Sequence, residues 1–259
     1  MSEQDLLTLA SGGLVGFALG LIGGGGSILA VPLLLYVVGV RDPHVAIGTS
    51  ALAVSANAFA NLALHARRGT VKWPCAATFA ASGVVGALIG STLGKLMDGQ
   101  KLLALFALVM VAVAAAMLRG RSGEGDPDVR MDVRMAPRIV ATGLGAGLLS
   151  GFFGIGGGFL IVPGLILSSG MPILNAVGSS LFSVGAFGLT TAVNYAVSGL
   201  VDWRIAALFI AGGVVGGAAG MRLAVRLASR RGLLTRVFAF VLLAVAAYVL
   251  YRSAGAWIG

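Results

Sequence analysis

Ten apolar segments, separated by short polar gaps, occupy most of this 259-residue chain. A helix needs about 20 mainly apolar residues to cross the hydrocarbon core of a bilayer. Most of the segments meet or approach this length, but the second and the seventh are too short. The pattern therefore predicts helices that lie in a membrane. The segments are 6–22, 28–38, 45–66, 73–93, 102–118, 139–153, 159–167, 173–197, 203–223 and 233–251.

The composition excludes a soluble enzyme. Apolar residues make up 58% of the chain and charged residues 10%, whereas soluble domains carry about 25% charged residues. The net charge of +9 would suggest nucleic-acid binding in a soluble protein. Here the basic residues cluster in the gaps between apolar segments, which is typical of cytoplasmic loops. Residues 1–5 contain no Lys or Arg, so we expect no cleaved signal peptide.

The chain contains an internal repeat. A polar linker at 119–137 separates residues 1–118 from residues 138–259, and we predict a transmembrane repeat on each side of a cytoplasmic linker. Residues 20–32 and 151–163 are identical at seven of thirteen positions. After a shift of one residue the match continues through 46–50 with 176–180, 69–73 with 199–203, and 83–86 with 213–216. Duplication of this kind is typical of transporters.

The distribution of basic residues favours an inverted arrangement of the repeats. If segments one and two return to the face where they started, as do six and seven, each half keeps three further crossings. The eighteen basic residues then divide thirteen to five between the two faces. If each pair crosses once, the division is ten to eight. We therefore expect a multi-pass protein of the bacterial inner membrane, with inverted repeats, a cytoplasmic linker and both termini periplasmic.

A glycine-rich break interrupts each half shortly before a proline, Pro32 or Pro163. Since proline is favoured in the first helical turn, a short helix is expected to begin near Val31 and near Val162. Its N-terminal amides would lie at membrane depth, where they can bind an anion. The alternative is that these glycines only permit close helix packing. The proposed binding positions are Gly23, Gly24, Gly25, Gly26, Ser27, Gly154, Gly156, Gly157 and Gly158.

Polar side chains share one face of the third segment and one face of the eighth. Such residues usually face a bundle interior or an aqueous path, although hydrogen bonding between helices explains any single one equally well. His65 lies near two arginines, so an interfacial histidine is favoured over a proton carrier. The face residues are Ser50, Asn57, Asn61 and His65, and Ser180, Ser183, Thr191 and Asn194. The substrate-binding prediction takes Thr49, Ser50, Asn57, Asn61, Ser179, Ser180, Thr191 and Asn194 from these segments.

All nine acidic residues fall in tails, gaps or segment ends. No carboxylate is therefore available at mid-membrane to bind sodium or relay protons. The two histidines are far apart, and the single cysteine, Cys75, suits a small buried hydrophobe. We predict no metal, no cofactor and no catalytic residue. Neutral donors and helix N-termini suit a small anion.

Taken together, the two glycine breaks before Pro32 and Pro163, the paired elements at 46–50 and 176–180, and Trp73 with Trp203 resemble the TauE/SafE family. This family is also called the toluene sulfonate uptake permeases. The resemblance covers nearly the whole chain outside the linker. It implies transport of sulfur-containing anions such as sulfite, sulfoacetate or other organosulfonates.

The sequence thus predicts an all-α integral membrane protein of two inverted repeats, each a glycine-broken helical hairpin plus three transmembrane helices. The predicted function is secondary transport of a small anion by alternating access. The alternatives are an anion channel with the same pore and, less favoured, a membrane-embedded enzyme. The expected partners are the anion and the lipid bilayer, without nucleic acid, and self-association stays open.

Overall fold

The structure is a computed structural model that describes residues 2–119, 126, 129, 131–153, 158–228, 236, 240, 243–248 and 251. Helices joined by short turns make up this part of the chain, and it contains no strand. The all-helical prediction is confirmed. Most of the tenth apolar segment, 233–251, lies outside the described residues.

Up to residue 228 the described chain forms nine α-helices and one 3-10 helix, and the described residues after it, 236, 240, 243–248 and 251, are also helical. The 3-10 helix, Gly23–Leu29, is called the glycine helix below. The first half contains α1 Glu3–Ile22, the glycine helix, α2 Ala30–Tyr36, α3 Pro43–Arg67, α4 Trp73–Lys95 and α5 Gly99–Arg119. The second half contains α6 Ala136–Phe153, α7 Gly158–Ser169, α8 Ile173–Val197 and α9 Trp203–Ala228.

Local sequence explains where the first long helices begin. Ser2 caps α1 in a reciprocal capping box, in which Asp5 N donates to Ser2 Oγ and Ser2 N donates to Asp5 Oδ2. Asp42 caps α3, where its Oδ1 accepts from His44 N at 2.7 Å. Pro43 occupies the first turn of α3, where its missing N–H costs nothing. Both helix starts are therefore fixed by the residues that precede them.

Six helices are long and apolar enough to cross a membrane, namely α1, α3, α4, α6, α8 and residues 203–227 of α9. This confirms the lengths predicted for the third, fourth, eighth and ninth segments. The apolar helices Gly26–Tyr36 and Leu160–Ser169 are short, as predicted for segments two and seven. We expect α1 and α6 to be the first arms of hairpins, and each is also long enough to cross by itself.

The helices of each half pack mainly on helices of the other half. The most extensive contacts join α1 to α9 and α6 to α4. Gly12, Gly16 and Gly20 of α1 lie against Phe209, Gly213 and Gly217 of α9, so these two helices run parallel. Small residues allow the two backbones to approach this closely. Each half thus depends on the other for its main helix partner.

The bundle is centred on an antiparallel crossing of α3 and α8. Ser55 Oγ donates to the carbonyl of Gly185 at 2.7 Å, halfway along both helices. Near one end of this pair, Gly48 of α3 contacts Tyr195 of α8. Because α3 runs parallel to α9 and α8 runs parallel to α4, the helices α1, α3 and α9 point one way while α4, α6 and α8 point the other.

The bundle accordingly has two ends, which we name by one residue each. The Arg67 end holds the last turns of α3 and α9 and the first turns of α4, α6 and α8. The Lys95 end holds the first turns of α1, α3 and α9 and the last turns of α4 and α8. An ion pair between Asp5 of α1 and Arg204 of α9, at 3.0 Å, lies at the Lys95 end.

Candidate functional site

The first glycine break is helical and buried. Residues 23–29 form the glycine helix, which continues directly into α2 at Ala30. An α-helix begins at Ala30, next to the predicted start near Val31, but the 3-10 helix runs into it without a break, and the N–H of Ala30 already donates to the carbonyl of Ser27. Glycine suits this 3-10 helix, because a backbone without Cβ atoms fits where side chains would collide with the neighbouring helices. The turn into this helix is made at Gly23.

Gly23 has a φ of +63°, and a Cβ there would lie 2.7 Å from Ser180 Oγ and 2.8 Å from the carbonyl oxygen of Val177. Glycine is required on both counts, since other residues rarely adopt positive φ. The neighbouring Gly24 N donates to Ser180 Oγ at 3.1 Å in the buried interior. This bond joins the first half to α8 of the second half.

The glycine helix folds back against α1. Gly26 lies against the backbone of Ala18 and Leu19, too closely for a Cβ. Ser27 Oγ donates to the carbonyl of Gly24 at 2.8 Å, which closes the turn. At the far end of the hairpin, Gln4 Nε2 donates to the carbonyl of Val38 at 3.2 Å. The chain therefore returns to the Lys95 end, where α1 began.

The glycine helix lies away from the centre of the bundle. Its partner Ser180 is five residues from Gly185 on α8, which corresponds to about 7.5 Å along a helix. The displacement is toward the Arg67 end. The glycine helix contains all five residues that were predicted to form the first break, namely Gly23, Gly24, Gly25, Gly26 and Ser27.

The second break is described only at its edge. Gly154, Gly156 and Gly157 lie outside the described residues, and Gly158 is the first residue of α7. This helix therefore begins earlier than Val162, where the sequence led us to expect it, and Pro163 lies inside it. The glycine helix packs against α7, so the two short hairpin arms meet.

Two predicted hydroxyls, Thr49 and Ser179, serve the turns between helices. Asp202 N donates to Thr49 Oγ1 at 2.9 Å, and Lys72 N donates to Ser179 Oγ at 2.8 Å. These bonds occupy equivalent places in the two halves and tie each long central helix to the start of a helix in the other half. Ser50 is buried, and its Oγ donates to the carbonyl of Ile47 at 2.9 Å.

Asn57 and Asn61 of α3 lie on the glycine-lined seam between α1 and α9. Asn57 faces Gly213, and Asn61 faces Gly217 and Gly20. Both side chains are buried, with 0% and 1% of their surface exposed. Among the described residues, neither polar atom of the Asn57 amide has a hydrogen-bond partner, and Asn61 Oδ1 also has none. Buried polar atoms of this kind are normally satisfied by a ligand or water.

The polar residues of α8 spread along the helix. Thr191 is buried, and its hydroxyl has no partner in the described part of the chain. Asn194 lies fourteen residues from Ser180, which is about 21 Å along the helix. Its Oδ1 accepts from Lys95 Nζ at 2.8 Å and its Nδ2 donates to Ser91 Oγ at 2.7 Å. The structure thus places Asn194 at the Lys95 end, apart from the glycine helix.

Two residues gain importance from the structure. His65 lies in the last turn of α3, at the Arg67 end, but its side chain is fully buried within the protein and contacts the carbonyl of Gly20 in the last turn of α1. Lys95 donates to Asn194 and Ser198 at the opposite end. The steps from Asn57 to Asn61 to His65 placed the histidine on the polar face, and its neighbouring arginines suggested a position at a membrane face. No group of three metal-ligating side chains occurs in the described residues.

The comparison with known proteins identifies the family. A family model described as sulfite exporter TauE/SafE matches residues 8–249. The chain belongs to the TauE/SafE family. The resemblance seen in the glycine breaks and paired motifs is therefore confirmed. The TauE/SafE chain is a membrane transporter, and its apolar helices make it a multi-pass membrane protein.

Several relatives are similar over most of their length. A probable membrane transporter protein of Xylella fastidiosa strain 9a5c is 57% identical, with 98% of each chain covered. The probable membrane transporter protein MJ0441 of Methanocaldococcus jannaschii is 30% identical over 74% of this chain and 71% of its own. YunE of Bacillus subtilis, also a probable membrane transporter protein, is 28% identical over 77% and 81%. No solved structure matches the chain.

Proposed function

We propose that this TauE/SafE transporter carries a small sulfur-containing anion, such as sulfite, sulfoacetate or another organosulfonate, across the bacterial inner membrane. The observation that carries the proposal is the buried bond from Gly24 N to Ser180 Oγ. It brings together a glycine helix from one half and a hydroxyl from the other. Ser180 Oγ in turn donates to the carbonyl of Val177 at 2.8 Å. An anion here would take the Gly24 N–H and the Ser180 hydroxyl from these partners, without a competing carboxylate.

The distribution of charge supports an anionic substrate. The acidic residues of α1, Glu3 and Asp5, lie in its first turn, and the described helices α3, α4, α6, α8 and α9 contain no acidic residue. An anion that enters the described part of the bundle interior therefore meets no carboxylate. The amides of Asn57 and Asn61 and the hydroxyl of Thr191 add buried polar groups within the bundle.

Alternating access is the proposed mechanism, with the halves arranged as inverted repeats. The directions of equivalent helices support inverted repeats. The equivalent helices α3 and α8 are antiparallel, and so are α1 and α6, and α4 and α9. Each hairpin packs on helices of the other half, so a rocking movement would shift the glycine helix relative to Ser180. A channel would use the same groups without that movement.

The distribution of cations supports the proposed orientation. Contacts gather Arg67, Arg68, Lys72, Arg222 and Arg226 at one end of the bundle. Arg41, Lys95, Lys101 and Arg204 lie at the other end. The richer end belongs in the cytoplasm by the positive-inside rule. Both termini are accordingly proposed to be periplasmic.

Thermal-shift measurements on the purified protein test the substrate class. The ligands are sulfite, sulfate, thiosulfate, sulfoacetate, taurine and toluenesulfonate. A ligand that binds only the folded state raises the melting temperature. We expect a rise with at least one sulfite or sulfonate anion, and saturable counterflow of that anion in proteoliposomes. Flux without saturation or counterflow would indicate a channel.

Ser180→Ala tests the site. The substitution removes an O–H donor from the anion, and a hydrogen bond to a charged group contributes about 1.5–3 kcal/mol. We therefore expect weaker anion binding by roughly tenfold or more. Ser168→Ala is the matched control, because the Ser168 hydroxyl bonds only to carbonyls of its own helix. Equal anion affinity for the two variants would remove Ser180 and the glycine helix from the site.

A further inference from the structure

A buried histidine connects the end of α1 to the turn between α3 and α4. His65 Nε2 lies 3.2 Å from the carbonyl oxygen of Gly20, and Nδ1 lies 3.0 Å from Thr70 Oγ1. Its side chain has 0% of its surface exposed. Gly20 precedes Gly23 by three residues, so the imidazole bonds to the backbone one turn before the glycine helix.

The partners of this imidazole suit both of its protonation states. A carbonyl oxygen can only accept, so Nε2 carries a hydrogen in either state. In the neutral ring, Nδ1 accepts and the Thr70 hydroxyl points its hydrogen at it. In the protonated ring, Nδ1 donates to Thr70 Oγ1, and the hydroxyl hydrogen turns to the carbonyl of His65, 3.0 Å away. A proton can therefore be gained or lost by rotation of one hydroxyl.

We propose that His65 is a proton-binding site that couples proton movement to anion transport. The coupling to anion transport rests on the proposed function, whereas the proton-binding site does not. A charged imidazole makes stronger hydrogen bonds than a neutral one, so protonation strengthens the hold on the Gly20 carbonyl. The proton thus favours the arrangement of α1 and the glycine helix that the structure shows.

The charges around His65 give the coupling its sign. The charged groups closest to His65 along the chain are cationic, namely Arg67, Arg68 and Lys72 on the turn, and Arg222 and Arg226 on α9 lie at the same end. The acidic groups described at this end are Asp126 and Asp132, which precede α6. On the other packed elements, Asp5 of α1 and Tyr195 of α8 lie at the Lys95 end, and Cys75 is on α4. An anion at the glycine helix would compensate the imidazolium. Anion binding and protonation therefore favour each other, as symport of the proton with the anion requires.

The second half lacks this proton site. In the alignment of the two repeats, Tyr195 is equivalent to His65 and Leu200 is equivalent to Thr70. Within the described residues the Tyr195 hydroxyl has no partner. One coupling site in each chain predicts one proton for each anion. Tyr195→Phe, at the position equivalent to His65, is therefore a matched control.

Magnetic resonance of the imidazole nitrogens tests the proton site without any substrate. The chain has two histidines, so a His44→Asn variant carries His65 alone. We expect the Nε2–H tautomer at alkaline pH and protonation of both nitrogens at acid pH. Thr70→Val should move the midpoint about one pH unit toward acid, which is the cost of one lost hydrogen bond. Thr70→Ser should leave the midpoint in place.

Flux in proteoliposomes tests the coupling. Toluenesulfonate is the probe because its charge does not titrate, and the membrane potential is held at zero. A gradient of about one pH unit should sustain about tenfold accumulation at one proton for each anion. In His65→Gln, whose amide can still donate to the Gly20 carbonyl, counterflow should continue but the pH gradient should drive no accumulation. Tyr195→Phe should behave as the parent protein.

Two results would overturn the proposal. One is a neutral His65 that carries its hydrogen on Nδ1, or a ring that never titrates while the protein stays folded. The other is a His65→Gln protein that still accumulates toluenesulfonate about tenfold under the same gradient. Absence of toluenesulfonate flux in the parent protein would show that this sulfonate is not its substrate, without excluding the other anions of the proposed class, and the resonance experiment would then decide the proton site alone.

Discussion

The side-chain amide of Asn57 lies directly against the Cα of Gly213, in the space that a Cβ at Gly213 would need. The two residues belong to opposite halves of the chain. Asn57 therefore fits only because α9 has a glycine there. This contact fixes how closely α3 can approach α9.

Gly213→Ala should be destabilising, because an added methyl in a tightly packed site typically costs about 1–3 kcal/mol. The double variant Gly213→Ala with Asn57→Ala should recover part of the loss, since the amide no longer occupies that space. Gly145→Ala is the control, as no atom lies within 4 Å of its added Cβ. Thermal unfolding of the purified variants gives the comparison. A double variant no more stable than Gly213→Ala alone would show that Asn57 does not limit the packing.

Gly23→Ala should impair both folding and transport, and Gly39→Ala separates the two causes. Both glycines have positive φ, +63° and +84°, but only Gly23 has atoms within 4 Å of an added Cβ. Each variant pays a backbone cost of about 1–3 kcal/mol. We expect only Gly23→Ala to abolish anion binding as well, measured by thermal shift. Equal binding by both variants would mean that contact of Gly23 with Ser180 is dispensable.

Cysteine labelling should place the two ends of the bundle on opposite sides of the membrane. In a Cys75→Ala background, Leu96→Cys and Val133→Cys offer residues that are 82% and 85% exposed. An impermeant maleimide should label position 96 in intact cells and position 133 only after permeabilisation. The reverse pattern would invert the orientation that the basic residues predict.

Sodium should be dispensable for transport. The described helices contain acidic residues only in the first turn of α1, and sodium sites generally use oxygen ligands. Anion flux in proteoliposomes should be the same in sodium and potassium buffers of equal osmolarity. A strict sodium requirement would point to Asn57 Oδ1 and Asn61 Oδ1, which are buried oxygens without a partner in the described part of the chain.

Much of the fold follows from the sequence because apolar length and helix caps are local properties. Segments 45–66 and 173–197 predict α3 and α8 closely, and Asp42 with Pro43 marks where α3 begins. The glycine break was harder, since the sequence gives no reason to prefer a 3-10 helix to an open loop. Its conformation depends on Ala18, Leu19 and Ser180, which lie on other helices.

The candidate site was predictable only in part, because neighbours distant in sequence decide what each polar residue does. Ser180, predicted from the polar face of the eighth segment, bonds to the glycine helix. Thr49 and Ser179 instead bond to backbone amides in turns. The neighbouring Arg67 and Arg68 favoured an interfacial His65, and the contact with Gly20 that helps to bury its side chain joins residues far apart in the sequence.

The exchange of helix partners also sets the order of events during synthesis. Gly12 of α1 packs on Phe209 of α9, and at typical rates of translation the interval between them is roughly 10 to 40 seconds. Throughout that time the glycine face of α1 has no final partner. During that interval this face of α1 contacts lipid or other parts of the nascent chain, until α9 is synthesised. A mutation in α9 would therefore disturb the assembly of α1 into the bundle.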